Sequence, residues 1–95
     1  MRPPTTKIPA MLPDGFHWKE YMGSQALYLG DQMVANYSQR PGAPYALAYF
    51  HCGAARYRGR TYGSEATARA YIEGWARRWH VRLREEYASI ARQVQ

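Results

Sequence analysis

Apolar and polar positions along this chain follow two different periods, and the change falls at Ser64. Ahead of it the apolar runs are short and bounded by Gly, Pro and Asp, the mark of strands. The stretch "QALYLGDQMVANYSQ" holds an apolar run, the pair Gly30-Asp31 and a second run of β-compatible residues, which predicts a hairpin. Its alternation puts Leu27 and Leu29 on one face and Ala26 and Tyr28 on the other. "FHWKEY" (16–21) alternates more weakly, with Phe16 and Trp18 on one side, and reads as a short first strand or a hydrophobic plug. "RPGAP" (40–44) is a loop, and the uncharged "YALAYFHC" (45–52) reads as a third, central strand. Residues 1–15, with Pro3, Pro4, Pro9 and Pro13 before "DG", read as an extended or mobile arm.

Beyond Ser64 the period becomes helical. Ser64 is a natural N-cap and Glu65 suits the positive end of a helix dipole. Ala68, Ile72, Trp75 with Ala76, Trp79, Leu83 and Ile90 fall on one apolar stripe. A helix over 65–91 would be about 40 Å long, longer than a small three-stranded sheet requires, so its last turns overhang, fray or meet a partner. Gly74 inside it marks a close approach to the sheet or a bend. Trp75 and Trp79 are expected in the core, against Leu27, Leu29, Leu47 and Phe50. The fold expected is α+β: a small antiparallel sheet of three to four strands packed on one long C-terminal helix, with residues 16–95 as a single domain behind the 1–15 arm.

Composition narrows the function classes. The chain has 95 residues, 46% apolar and 15% aromatic, enough for one compact core and against disorder. Its single cysteine, Cys52, can close no intramolecular disulfide and completes no zinc knuckle, which fits a cytoplasmic location. No apolar run is long enough to span a membrane, and the N-terminal stretch lacks the apolar core of a signal peptide. His17, His51 and His80 lie on three separate segments, and the adjacent His51 and Cys52 point to opposite faces of a strand. No spacing sets a nucleophile beside a base, so the reading is non-catalytic, without metal or cofactor.

Charge is unevenly placed. Residues 1–50 carry four basic and three acidic side chains, and residues 51–95 carry nine against four, so +1 and +5 make the net +6. Eleven of the thirteen cations are arginine, whose planar fork suits phosphate and stacks on ring faces. "RYRGRTYG" (56–63) concentrates them: Arg56 and Arg58 share a side if the segment is extended, and Arg60 follows Gly59 at a turn. Tyr57 and Tyr62 could stack on bases. On the helix, Glu65 with Arg69, Glu73 with Arg77 and Arg82 with Glu86 are spaced as ion pairs, which leaves Arg78, Arg84 and Arg92 unmatched. The same arginines would equally keep a hairpin tip solvated. Nine tyrosines are many for this length, and Tyr28, Tyr45 and Tyr49 are expected on a sheet face away from the helix, as a protein-docking face.

The run "RGRTYGSEATARAYI" resembles the end of the three-stranded-sheet-plus-helix DNA-binding domains of ethylene-response factors and of the arm-binding domains of phage tyrosine recombinases. There a basic strand leads through glycine and an aromatic residue into a helix, and Tyr62, Ser64, Glu65, Ala66, Ala68, Ala70 and Tyr71 take comparable places. The likeness covers residues 56–73, and the chain as a whole looks like a small phage or prophage protein. Those families read the groove with arginine and tryptophan on the first strands, whereas "ALYLG" and "MVANY" carry no basic residue. Two functions are therefore carried forward. One is a small basic nucleic-acid-binding protein, DNA or RNA, using Arg56, Tyr57, Arg58, Arg60, Tyr62, Arg78 and Arg84. The other is a phage-type protein that docks in the host cytoplasm on an acidic surface of a host or defence complex, for instance a CRISPR-type one. A homodimer through the C-terminal helix is compatible with either.

Overall fold

The computed structural model describes residues 12–51 and 58–93, with side chains of the second segment placed for residues 59–88. Five strands, β1 (Phe16–Tyr21), β2 (Ser24–Leu29), β3 (Gln32–Ser38), β4 (Ala46–Phe50) and β5 (Arg58–Tyr62), are followed by one helix, α1 (Glu65–Gln93). The strands pair antiparallel in chain order, β1-β2-β3-β4-β5, as a meander, and α1 covers one face. This is the expected α+β arrangement with more strands than the three to four expected.

The extra strands come from two places. β1 and β2 are joined by Met22-Gly23, both with positive φ (50° and 85°), the paired left-handed geometry of a two-residue hairpin turn. Methionine rarely adopts it, so nothing in the sequence announces the turn. At the other edge Gly59 is not a turn residue. It sits inside β5 opposite Tyr49, where a Cβ would come 3.0 Å from the tyrosine ring, so the strand runs straight through the position read as a bend. What reads as a third strand is β4, fourth in order and interior.

Register settles which side chains meet the helix. Phe16 pairs with Leu29, Trp18 with Leu27, Leu27 with Ala35, and Ala35 with Phe50. These face α1, together with Tyr37, Ala46 and Ala48. Leu27, Val34, Ala35, Ala46 and Ala48 are essentially sealed from solvent, as are Ala68, Ile72 and Ala76 of the helix. A bulge in β3, where the pairing steps from Tyr28–Met33 to Leu27–Ala35, lets consecutive Val34 and Ala35 both be buried. Leu47, by contrast, pairs with Ser38 and Thr61 and so stands on the face away from α1, not against Trp75 and Trp79.

The helix starts where the sequence places it: the Thr67 amide donates to Ser64 Oγ at 3.2 Å and the Ala68 amide to the Ser64 carbonyl at 3.0 Å. It is fastened at both ends of the sheet. Near its start, Arg69 lies 4.5 Å over the Trp18 ring and 3.4 Å from Glu73, which accepts the Trp18 indole N–H at 2.8 Å. Near its far end, Tyr87 donates to Asp31 at 2.6 Å and packs against the core. The helix is therefore held through Tyr87, so no overhang begins before it; the side chain of Ile90 is outside the described residues. The arm also ends earlier than residue 15: Leu12 packs on the core, and the Gly30 amide donates to the Gly15 carbonyl at 3.0 Å.

Gly30 is where this clasp is most sensitive. Its φ of 64° lies in the left-handed region, and a Cβ there would come 3.0 Å from the Tyr87 hydroxyl. Gly30→Ala meets both penalties, the backbone at about 1 kcal/mol and the displaced clasp at about the same again. A loss near 2 kcal/mol by urea denaturation is the expected outcome, with Tyr87→Phe losing only the second part.

A candidate nucleic-acid interface between α1 and the β5 edge

β5 is an edge strand, and its register decides what its side chains can reach. Arg60 pairs with Ala48 and Tyr62 with Ala46, both helix-facing positions, so Arg60 and Tyr62 stand on the α1 side of the sheet. Arg60 is exposed and Tyr62 half-buried. Tyr62 lies 5.3 Å from the Tyr71 ring, tilted by 37°. Burial raises the Tyr62 hydroxyl pKa above its ordinary value, Tyr71 pushes the same way, and the Arg60 guanidinium pulls it back. Arg60, Tyr62 and Tyr71 therefore form one contiguous surface.

α1 continues that surface along its length. Tyr71 stands edge-on to Phe50 at 6.3 Å, and Trp75 does so at 4.9 Å, which anchors both rings on the core beneath β4. Trp79 follows at the same spacing with Arg78 held 5.3 Å over its ring. Beside this aromatic row run Ala70, Gly74 and Arg78, and the two rows enclose an open groove of about 330 Å³. Gly74 makes no close approach to the sheet. A Cβ there would meet only Arg77, at 3.7 Å, so the glycine serves to keep the groove floor low.

Trp79 departs most from expectation. On an unbroken helix it would lie only about 20° from Ile72, in the middle of the buried stripe. Its backbone is not helical, however, with φ −110° and ψ 16°, and α1 kinks there. The kink leaves the indole 41% exposed, and Tyr71 is 47% exposed, while Leu83 and Tyr87 carry the core contact onward.

The other predicted site residues divide. Arg78 joins the groove. Arg84 does not: it donates to the Asp14 carbonyl at 2.9 Å and covers Phe16 at 5.8 Å, beside β1, about 19 Å across the sheet from β5. Arg58 takes the strand position opposite Phe50, and Arg56 and Tyr57 lie outside the described residues, as does Cys52. Tyr28 and Tyr49 stand on the face away from α1, as their register requires, with Tyr45 exposed just ahead of β4. Tyr28 is already occupied, stacked on His17 at 5.7 Å with the Lys19 ammonium 4.8 Å over its ring. Tyr71, Trp75 and Trp79, which line the groove, are not among the site residues expected from the sequence. Their i, i+4, i+8 row beside Ala70 and Gly74 was the available signal, although it reads equally as core.

Among the described residues no group of three or more His, Cys, Asp or Glu side chains is placed to hold a metal, and no helix is long and apolar enough to cross a membrane. Burial lowers the pKa of His51, which sits away from the groove lining. Comparison with protein-family models, curated proteins and solved structures finds no match to this chain.

Proposed function

We propose that this protein binds nucleic acid through the groove on α1, next to the β5 edge, without catalysis. The observation that carries the reading is the joining of exposed aromatic rings to arginines on one surface. Tyr71 and Trp79 are about half exposed, Arg60 stands at one end and Arg78 at the other, and no carboxylate lines the groove. Arginine supplies phosphate contacts and the rings supply base contacts, the two parts that such binding requires. The net charge of +6, with +5 of it in the half that builds this surface, adds long-range attraction for a polyanion.

Fluorescence anisotropy of labelled single- and double-stranded DNA and RNA tests it. Micromolar or tighter binding is expected, weakening steeply as salt rises from about 50 to about 200 mM. Absence of binding to every one of these probes at the lower salt would refute the reading.

A second reading is favoured by a different surface. The sheet face away from α1 carries Tyr21, Leu47 and Tyr49, with Lys19 drawn onto Tyr28, so it is aromatic and nearly free of charge. Such a face suits docking on another protein, including a host or defence complex met by a phage-encoded factor. A one-to-one complex that survives nuclease treatment and is lost in Tyr49→Ala would favour this reading over the first.

A further inference from the structure

We infer that the groove takes single-stranded nucleic acid rather than duplex, with an unstacked base laid on Trp79 and a second reaching Tyr71, and with Arg78 and Arg60 holding the phosphates on either side. The inference rests on the nucleic-acid reading above and narrows it to a substrate class.

Three features of the site lead there. The first is ring availability: in a duplex each base face is covered by its neighbour, so an aromatic side chain finds a free π-face only on splayed or single-stranded bases. The second is spacing. Tyr71 and Trp79, the two exposed rings, are eight residues apart, about 12 Å of helix rise, with Trp75 between them. Successive bases along one duplex strand are about 3.4 Å apart, so rings at this spacing match a strand whose bases are spread. The third is the placing of charge. Arg60 adjoins Tyr62 at the Tyr71 end of the row, and Arg78 lies over Trp79 at the other, about 10 Å further along the helix, with Ala70 and Gly74 leaving the path between them unobstructed. Trp75, edge-on to Phe50 and less exposed than its neighbours in the row, is the wall between the two exposed contacts. Arg78 already stacks on Trp79, and an incoming base would take that ring face while the guanidinium turns to the adjoining phosphate.

The test uses the full chain and an oligothymidylate about 15 nucleotides long, its ribo-counterpart, and a mixed-sequence duplex of the same length. Expected are at least about tenfold tighter binding of a single strand than of the duplex at equal salt, and quenching of tryptophan emission on binding. Trp79→Leu should weaken single-strand binding about tenfold with the salt slope unchanged, because the slope counts phosphates and not rings. Trp79→Phe, which keeps a π-face, should recover most of that affinity, and an unchanged circular dichroism spectrum excludes a folding defect. Duplex binding as tight as single-strand binding, with Trp79→Leu indifferent, would overturn this inference while leaving the broader reading intact; failure of all three probes to bind would end both. Displacement of the oligonucleotide by poly-glutamate at equal charge concentration would also overturn it, since a carboxylate chain offers no ring to stack and would mark the groove as a site for acidic protein.

Discussion

Leu27→Ala is expected to cost about 3 kcal/mol and to lower the melting temperature by about 12–24 °C. Leu27 is fully buried on the interior strand β2, pairing with Trp18 on β1 and Ala35 on β3 beneath α1. Its removal leaves a cavity walled by β-strand backbone on both sides and by the helix above, which are held in place by paired hydrogen bonds and cannot close over it. Leu47→Ala is the matching control. Leu47 has the same side chain but stands half-buried on the opposite face, so its truncation should cost about 1 kcal/mol or less. Urea denaturation of both variants reads the difference directly. Equal losses would mean that the two sheet faces are packed alike, contrary to the register.

That contrast also marks how far the sequence could be read. Alternation alone puts Leu27 and Leu29 on one face and Tyr28 on the other, because a period of two leaves no other arrangement for a half-buried strand. Leu47 obeys the same rule, but in "YALAYF" both faces are apolar, so alternation does not say which of them meets the helix. The helix start was legible in Ser64 because capping is chemistry between near neighbours. Its course was not. Trp79 belongs in the buried stripe by periodicity, and the kink at its own backbone, which no residue type in the sequence announces, turns it outward. The number of strands escaped for a related reason: Met22-Gly23 and Gly59 are a turn and a strand position whose identities depend on the ring or backbone opposite them, not on their own residue types.

The candidate site divides along the same line. The concentration of arginine and tyrosine near residues 56–63 was visible, whereas its relation to the helix was not, because Tyr62 meets Tyr71 only once β5 is paired and α1 is docked. Arg78 and Arg84 look alike in the sequence, six residues apart on one helix. They separate in space because Arg84 turns toward β1 and gives its hydrogen bond to the Asp14 carbonyl.

This separation allows a test in which net charge and local geometry predict different results. Arg60→Glu with Arg78→Glu lowers the net charge from +6 to +2, two reversals of two units each, and so does Lys19→Glu with Arg40→Glu. All four side chains except that of Arg78 are exposed away from the core, and Arg78 is exposed within the groove, so none of the changes should unfold the chain. If binding reflected only the overall field, both double variants would weaken it alike. With phosphates held at the groove ends, the Arg60 and Arg78 pair should lose about 100-fold at about 100 mM salt, and the slope of log affinity against log salt should fall by about 1.4, the value for two contacts on a single strand. The Lys19 and Arg40 pair should lose only a few fold, with its slope nearly unchanged, because neither side chain lines the groove and an exposed charge that touches no phosphate is largely screened. Arg84→Ala belongs with the second group: its guanidinium serves Asp14 and Phe16, so its removal should reduce stability at the β1 end and leave affinity within about twofold of the parent protein.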